Sequence, residues 1–177
     1  MRMLNIAFAT RSVPMHGHTP RERCLGGSES ALVFTARALA ERGHQVEVFT
    51  RCEKPGIYDG VSYEDISLLN TTAAIKDWDI FVSLRFPDLL RGGIRAGLRI
   101  LWCQDILDGM PVSSWASYCD KLVFVSQWHL NRTMKEHPSL QNMSWVIPNP
   151  VDRTWIPERI QNNSPLLVHL SRPERGL

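Results

Sequence analysis

The chain has 177 residues, 44% of them hydrophobic, and a formal net charge of +2. That is enough apolar material for a real core, and the length suits one α/β domain, or one domain plus a piece of another. The 20 basic residues are scattered, which argues against a nucleic-acid groove, and no apolar run reaches the ~20 residues that a membrane-crossing helix needs.

Cys24, Cys52, Cys103 and Cys119 are widely spaced and form no CxxC pair. They read as reduced intracellular thiols rather than a disulfide frame or a zinc site. Leu4 to Ala9 is too short for the core of a signal peptide and reads as a first strand. With no export signal the expected location is cytoplasmic. The triplets Asn70-Thr71-Thr72 and Asn131-Arg132-Thr133 are then chance matches to a glycosylation pattern.

Leu4 to Thr10 (LNIAFAT) is almost wholly apolar, as expected of a strand buried on both faces. Arg11 to Cys24 is a long polar connection, the kind that often carries function. His16 and His18 lie in it at a spacing that could ligate metal, but no Cys or carboxylate supports them. They read as a flexible or substrate-facing loop. Gly26 to Gly43 is a glycine-opened helix. Gly26 and Gly27 allow a tight turn and a bare surface, Ser28 is the expected N-cap, and Leu32, Ala36 and Leu39 recur at helical spacing. Gly43 is the expected stop. Such a helix start leaves N–H groups and a positive dipole end that suit an anion such as phosphate, although any strand-to-helix turn uses small residues.

Gln45 to Thr50 (QVEVFT) is a second strand, Cys52 to Gly60 a turn-rich loop, and Val61 to Ser67 a third, edge-like strand. Thr71 to Asp77 predicts a short helix and Asp79 to Leu84 a strand. Pro87 to Ala96 is a short helix or irregular. Arg99 to Cys103 is the next strand, with Gln104-Asp105 at its carboxyl end. Val112 to Tyr118 predicts a short helix and Lys121 to Val125 a strand. Ser126 caps a helix to about His137, with Trp128 and Met134 among its inward candidates. Met143 to Ile147 is a further strand. Residues 1–150 thus form one domain. The proline- and asparagine-rich 151–164 reads as a linker. Leu166 to Leu170 opens a second unit, 165–177, that the sequence leaves truncated.

Strands alternating with helices imply an α/β fold, Rossmann-like, with a mostly parallel sheet and helices on both faces. Ligands bind such sheets beyond the carboxyl ends of the strands. Three features fall there: the Gly26-Gly27 turn, Gln104-Asp105 and Ser126.

In that order the residues resemble the N-terminal, acceptor-side half of a GT-B glycosyltransferase of the retaining family-four group. The pieces are Gly26-Gly27-Ser28-Glu29; Leu39 to Val46 (LAERGHQV); Leu101-Trp102-Cys103-Gln104-Asp105; Val123-Phe124-Val125-Ser126; Val146 to Asp152 (VIPNPVD), similar to "IPNGVD"; and Ser171 to Leu177 (SRPERGL), similar to the opening of the nucleotide-sugar domain. Gln104 stands where many members have His, Pro150 where they have Gly, and Arg175 where they have Lys. The first departure questions a direct role for that side chain; the last keeps a positive charge.

The resemblance implies transfer of a sugar from a nucleotide-sugar donor, a co-substrate rather than a bound cofactor, to a glycan, lipid or small-molecule acceptor. Peripheral membrane association would suit a lipid acceptor. Gly26, Gly27, Arg172 and Arg175 would bind the donor diphosphate, arginine because its planar fork meets phosphate oxygens in pairs. No metal is needed when cations and a helix end take that charge. Asp105 is the expected catalytic, acceptor-side contact, with a turn carboxylate as the alternative. His16, His18 and Arg11 are acceptor-loop candidates. Glu29 reads as a first-turn acid favoured by the helix dipole, and Trp102, Trp128 and His169 as core residues. Lacking the second domain, the chain is expected to be inactive alone. The alternative is a non-catalytic Rossmann-like module binding a phosphorylated or glycan ligand. A nicotinamide-dependent enzyme is disfavoured, since no GxGxxG follows the first strand.

Overall fold

The structure is a computed structural model and describes residues 2–91, 93–107 and 111–152. Among these, eight strands form one sheet: β1 (Asn5–Ala9), β2 (Gln45–Thr50), β3 (Gly56–Tyr58), β4 (Val61–Asp65), β5 (Trp78–Leu84), β6 (Ala96–Cys103), β7 (Lys121–Phe124) and β8 (Ser144–Val146). Their order is β3-β4-β2-β1-β5-β6-β7-β8. Every pairing is parallel except β3 with β4. This is the α/β, Rossmann-like sheet that the strand–helix alternation implied.

The apolar runs explain why β1 and β5 take the centre. Alternate residues of β1 face opposite cores. Ile6 and Phe8 join Val46, Val48, Val82, Trp102 and Val123 on one face, covered by α2 (Gly27–Glu41) through Leu32, Val33 and Ala36. Ala7 and Ala9 join Phe49, Phe81, Leu101, Leu122 and Phe124 on the other. That second face is covered by α3 (Leu69–Ile75) and α4 (Gln127–Glu136), together with short 3₁₀ turns at Pro87–Leu90 and Val112–Ser114. Trp102 is core, as expected.

Four local expectations change. Val61–Asp65 is not at the edge, because Gly56–Tyr58 adds an antiparallel strand outside it. The connection after β1 is not a solvated loop. It carries a short helix, α1 (Thr19–Glu22), and buries Met15, His16 and Thr19 against the β3–β4 hairpin. A side chain at Gly17 would meet Tyr58 Cβ at 2.6 Å, so only glycine lets the loop lie that close. The N-cap of α2 is Gly26 rather than Ser28. Trp128 is 62% exposed rather than inward, because Ser126 sets the phase of α4 so that Leu130 and Thr133 face the core. The rest of the linker beyond Asp152, His169, the Leu166 to Leu170 strand and the proposed second unit lie outside the described residues.

Candidate functional site

The order in which successive parallel strands are added to the sheet reverses between β1 and β5. Ligand crevices of such folds lie beyond the carboxyl ends at that reversal. There the chain places Ser12 after β1, the first turn of α2, Arg85 after β5, Gln104-Asp105 after β6, and the start of α4 after β7.

Arg85 joins these pieces. Its backbone N–H donates to Trp102 O at 3.1 Å, and its φ of +73° is a left-handed conformation that costs a non-glycine residue about 1 kcal/mol. Its Nε and Nη2 donate to the two oxygens of Asp105 at 2.6 and 2.9 Å, a two-pronged pair. Its Nη1 reaches Ser28 Oγ at 3.3 Å and Glu29 Oε1 at 3.4 Å. The hydrogen bond to Asp105 leads in holding the guanidinium pKa above its usual value, against the opposing effect of burial.

Glu29 is 5% exposed in the first turn of α2. Burial alone would raise its pKa. Hydrogen bonds from Ser12 Oγ, its own N–H and Ser28 Oγ, with the charge of Arg85, outweigh that and hold it below its usual value. The site therefore keeps a buried, ionised carboxylate at neutral pH. This carboxylate folds back over the helix start, so that a Cβ on Gly26 would collide with Oε2. Ser28 lies within the first turn, past the cap position, and donates to Glu29 Oε2 at 3.0 Å.

Asp105 differs in exposure, with 58% of its side chain in solvent. Its backbone carbonyl lies 3.0 Å from His129 Nε2. A carbonyl only accepts, so that nitrogen carries the proton. Ser126 caps α4 as expected, accepting from His129 N–H at 3.1 Å. Gln104 exchanges two amide hydrogen bonds with Asn149 at 2.8 and 2.9 Å, tying the β6 end to the segment after β8.

The sequence candidates thus separate. Asp105 is joined to the start of α2 through Arg85, and Ser126 only indirectly, through His129. Gly26 and Gly27 are exposed, and nothing lies within 4 Å of a Cβ built on Gly27. His16 and His18 go elsewhere. His16 stacks on Tyr58 at 4.5 Å and faces Glu22, while His18 packs edge-on against Tyr58 and faces Asp59, both on the β3 side of the sheet. Arg11 pairs with Asp88. Arg172 and Arg175 lie outside the described residues.

Two features were missed in the sequence. Arg85 carried a usable signal, a lone cation directly after an apolar strand. An Asp-x-Asp triplet, a spacing that can hold a divalent cation, occurs at Asp77-Trp78-Asp79. It sits at the opposite, amino end of β5. Its carboxylates meet Arg95 at 2.7 Å, and Arg2 and the Asn5 N–H at 3.0 and 2.8 Å. Among the described residues no three His, Cys, Asp or Glu side chains group to hold a metal.

The crevice therefore offers a fixed guanidinium between a buried carboxylate and an exposed one. The exposed carboxylate can accept from a hydroxyl, and the guanidinium can bind an oxyanion. No family model matches the chain, and no curated protein matches it significantly.

Proposed function

We propose that this chain carries the acceptor-side domain of a retaining GT-B glycosyltransferase, with residues 165–177 belonging to the nucleotide-sugar side. The observation that carries the reading is a coincidence. Two stretches that resemble the family, Gly26 to Glu29 and Gln104-Asp105, meet through Arg85 at the strand-order reversal. Asp105 takes the role of acceptor-side contact, its exposed carboxylate accepting from the sugar-receiving hydroxyl. Gly26 and Gly27 present the end of α2 toward the donor diphosphate, and Arg172 and Arg175 supply the cations. The acceptor is a glycan, a lipid or a small molecule, and the enzyme works in the cytoplasm, at the membrane surface if the acceptor is a lipid.

In the test, release of nucleoside diphosphate from a panel of nucleotide sugars is measured for the 177-residue chain alone and for a longer protein in which it is joined to a nucleotide-sugar-binding domain. The longer protein hydrolyses or transfers at least one sugar, and the short chain none. Robust transfer by the short chain overturns the division of labour. No turnover and no donor binding by the longer protein overturns the enzyme class. Saturable ligand binding without transfer would instead mark a non-catalytic module.

A further inference from the structure

We infer that the α2 face of the sheet holds a pocket for a hydrocarbon chain, and that the acceptor of the proposed transfer is a lipid rather than a glycan or a water-soluble small molecule. The acceptor role rests on the glycosyltransferase reading; the pocket does not.

The topology opens this pocket. Strands β5, β6, β7 and β8 are added in one direction, so their right-handed crossovers fall on one face. Leu90, Trp115 and Leu130, one from each of those connections, all join the core on the α4 face. A parallel sheet is apolar on both faces, and the other face of β5–β7 is no exception. There α2 lies over β2 and β4, to one side. Ile80, Val82, Ile100, Trp102 and Val123 are left lining a cavity of about 310 Å³. α2 adds Thr35 and Leu39 to its lining, and the segment after β8 adds Ile147, Pro148 and Pro150. Thr35 is the one hydroxyl in that lining, and no charged side chain takes part.

Size decides what fits. One turn of α-helix with its side chains fills roughly 400 Å³, more than the cavity offers. An apolar cavity of about 150 Å³ takes a six-carbon ring, so 310 Å³ takes a chain of roughly twelve carbons. The mouth is apolar too. Ile147 is 50% exposed, and Val151, next to Pro150, 70%. Trp145 is the register partner of Val123 and so shares its face. It is 43% exposed, with the Lys121 ammonium 5.1 Å from its ring centre. An indole with one apolar and one wet side suits the boundary between a lipid tail and its headgroup. The pocket also adjoins the crevice. Asn149, between the two lining prolines, is bonded twice to Gln104, the residue before Asp105. The carbonyl of Trp102 accepts from the N–H of Arg85. A tail seated here leaves its hydroxyl head at the strand end that carries Asp105.

The experiment is a calorimetric titration of the full chain with straight-chain 1-alkanols, from hexanol to dodecanol, with no nucleotide sugar present. Binding saturates and tightens roughly two- to fourfold per added methylene until the cavity is full. Thr35→Trp fills the cavity from the helix wall and weakens decanol binding roughly tenfold, as the loss of two methylenes would. Ile147→Ser, at the half-exposed mouth, weakens it in the same direction and carries the test if Thr35→Trp fails to fold. Ile75→Ser, on the exposed side of α3, leaves it unchanged. A diazirine-bearing decanol labels the peptides that contain Trp102 or Ile147. Absence of saturation, an affinity independent of chain length, or wild-type binding in both pocket variants overturns the pocket. So does a dimer in sedimentation that Thr35→Trp dissolves, because a second copy then fills the groove. Sugar transfer to a glycan by the longer protein, without alkanol binding, overturns this inference and leaves the enzyme class standing. Alkanol binding with no transfer and no donor binding keeps the pocket and removes only its acceptor role.

Discussion

At Glu29 burial and hydrogen bonding pull in opposite directions, and the hydrogen bonds win. A carboxyl whose native pKa lies below its usual value of 4.5 binds its proton more readily in the unfolded chain. Its contribution is fully present above pH 4.5 and is lost as pH falls through the lower native value. Chemical denaturation followed across ~pH 3 to 6 therefore shows a steeper acid loss for the wild type than for Glu29→Gln. Parallel curves would refute the assignment. His16 gives a second, separable window. Burial leads in depressing its pKa below 6.5, despite Glu22 nearby, so the unfolded chain takes up that proton first. Stability contributed by the neutral ring is present above pH 6.5 and falls as pH drops below it; His16→Gln flattens that segment alone. Neither burial was legible in the sequence. Glu29 and His16 look like surface residues until Ser12, Arg85 and Tyr58 arrive from distant parts of the chain.

Most elements could be read from local pattern, because the strands are apolar runs and the helices carry recognisable ends. The Ser126 cap is such an end, and Ser126→Ala is expected to cost about 1 kcal/mol in denaturant unfolding, with no change at the crevice beyond a shift of His129. Gly43 is another. It ends α2 at φ +85°, and Gly43→Ala costs about 1 kcal/mol although its Cβ would meet nothing within 4 Å, so the loss is purely conformational. Little or no effect would place the strain elsewhere. What failed was whatever depended on a partner. Gly56–Tyr58 is three residues beside a proline, with no alternation to announce it, and becomes a strand only because β4 offers a free edge. Trp128, an inward candidate by sequence, turns outward because helix phase decides its direction, and its ring carries Arg132 at 5.7 Å instead.

Across the whole molecule the two cores divide the cysteines. Cys52, Cys103 and Cys119 are buried, and Cys24 is exposed on the connection ahead of α2. Burial pushes the Cys119 thiol up to about 12 and Cys103 higher still. A thiol reagent at neutral pH should titrate Cys24 rapidly and the other three only on unfolding; fast reaction of a second thiol would contradict the packing. The strand alternation made the parallel sheet legible, whereas the crevice was visible only in part. Asp105 and the start of α2 carried local marks, while the arginine that joins them is meaningful only once the strand order is known. That order also bears on how the chain is made. β1 lies between β2 and β5, so its second neighbour, Ile80 to Ser83, emerges from the ribosome long after its first. During that interval the nascent β1–β2–β4 half presents β1 as an open, apolar margin with unpaired backbone groups, a template for pairing with other chains. Synthesis between Thr50 and Leu84 is thus the stage at which the polypeptide most needs shielding, and a pause there would lengthen its exposure to aggregation.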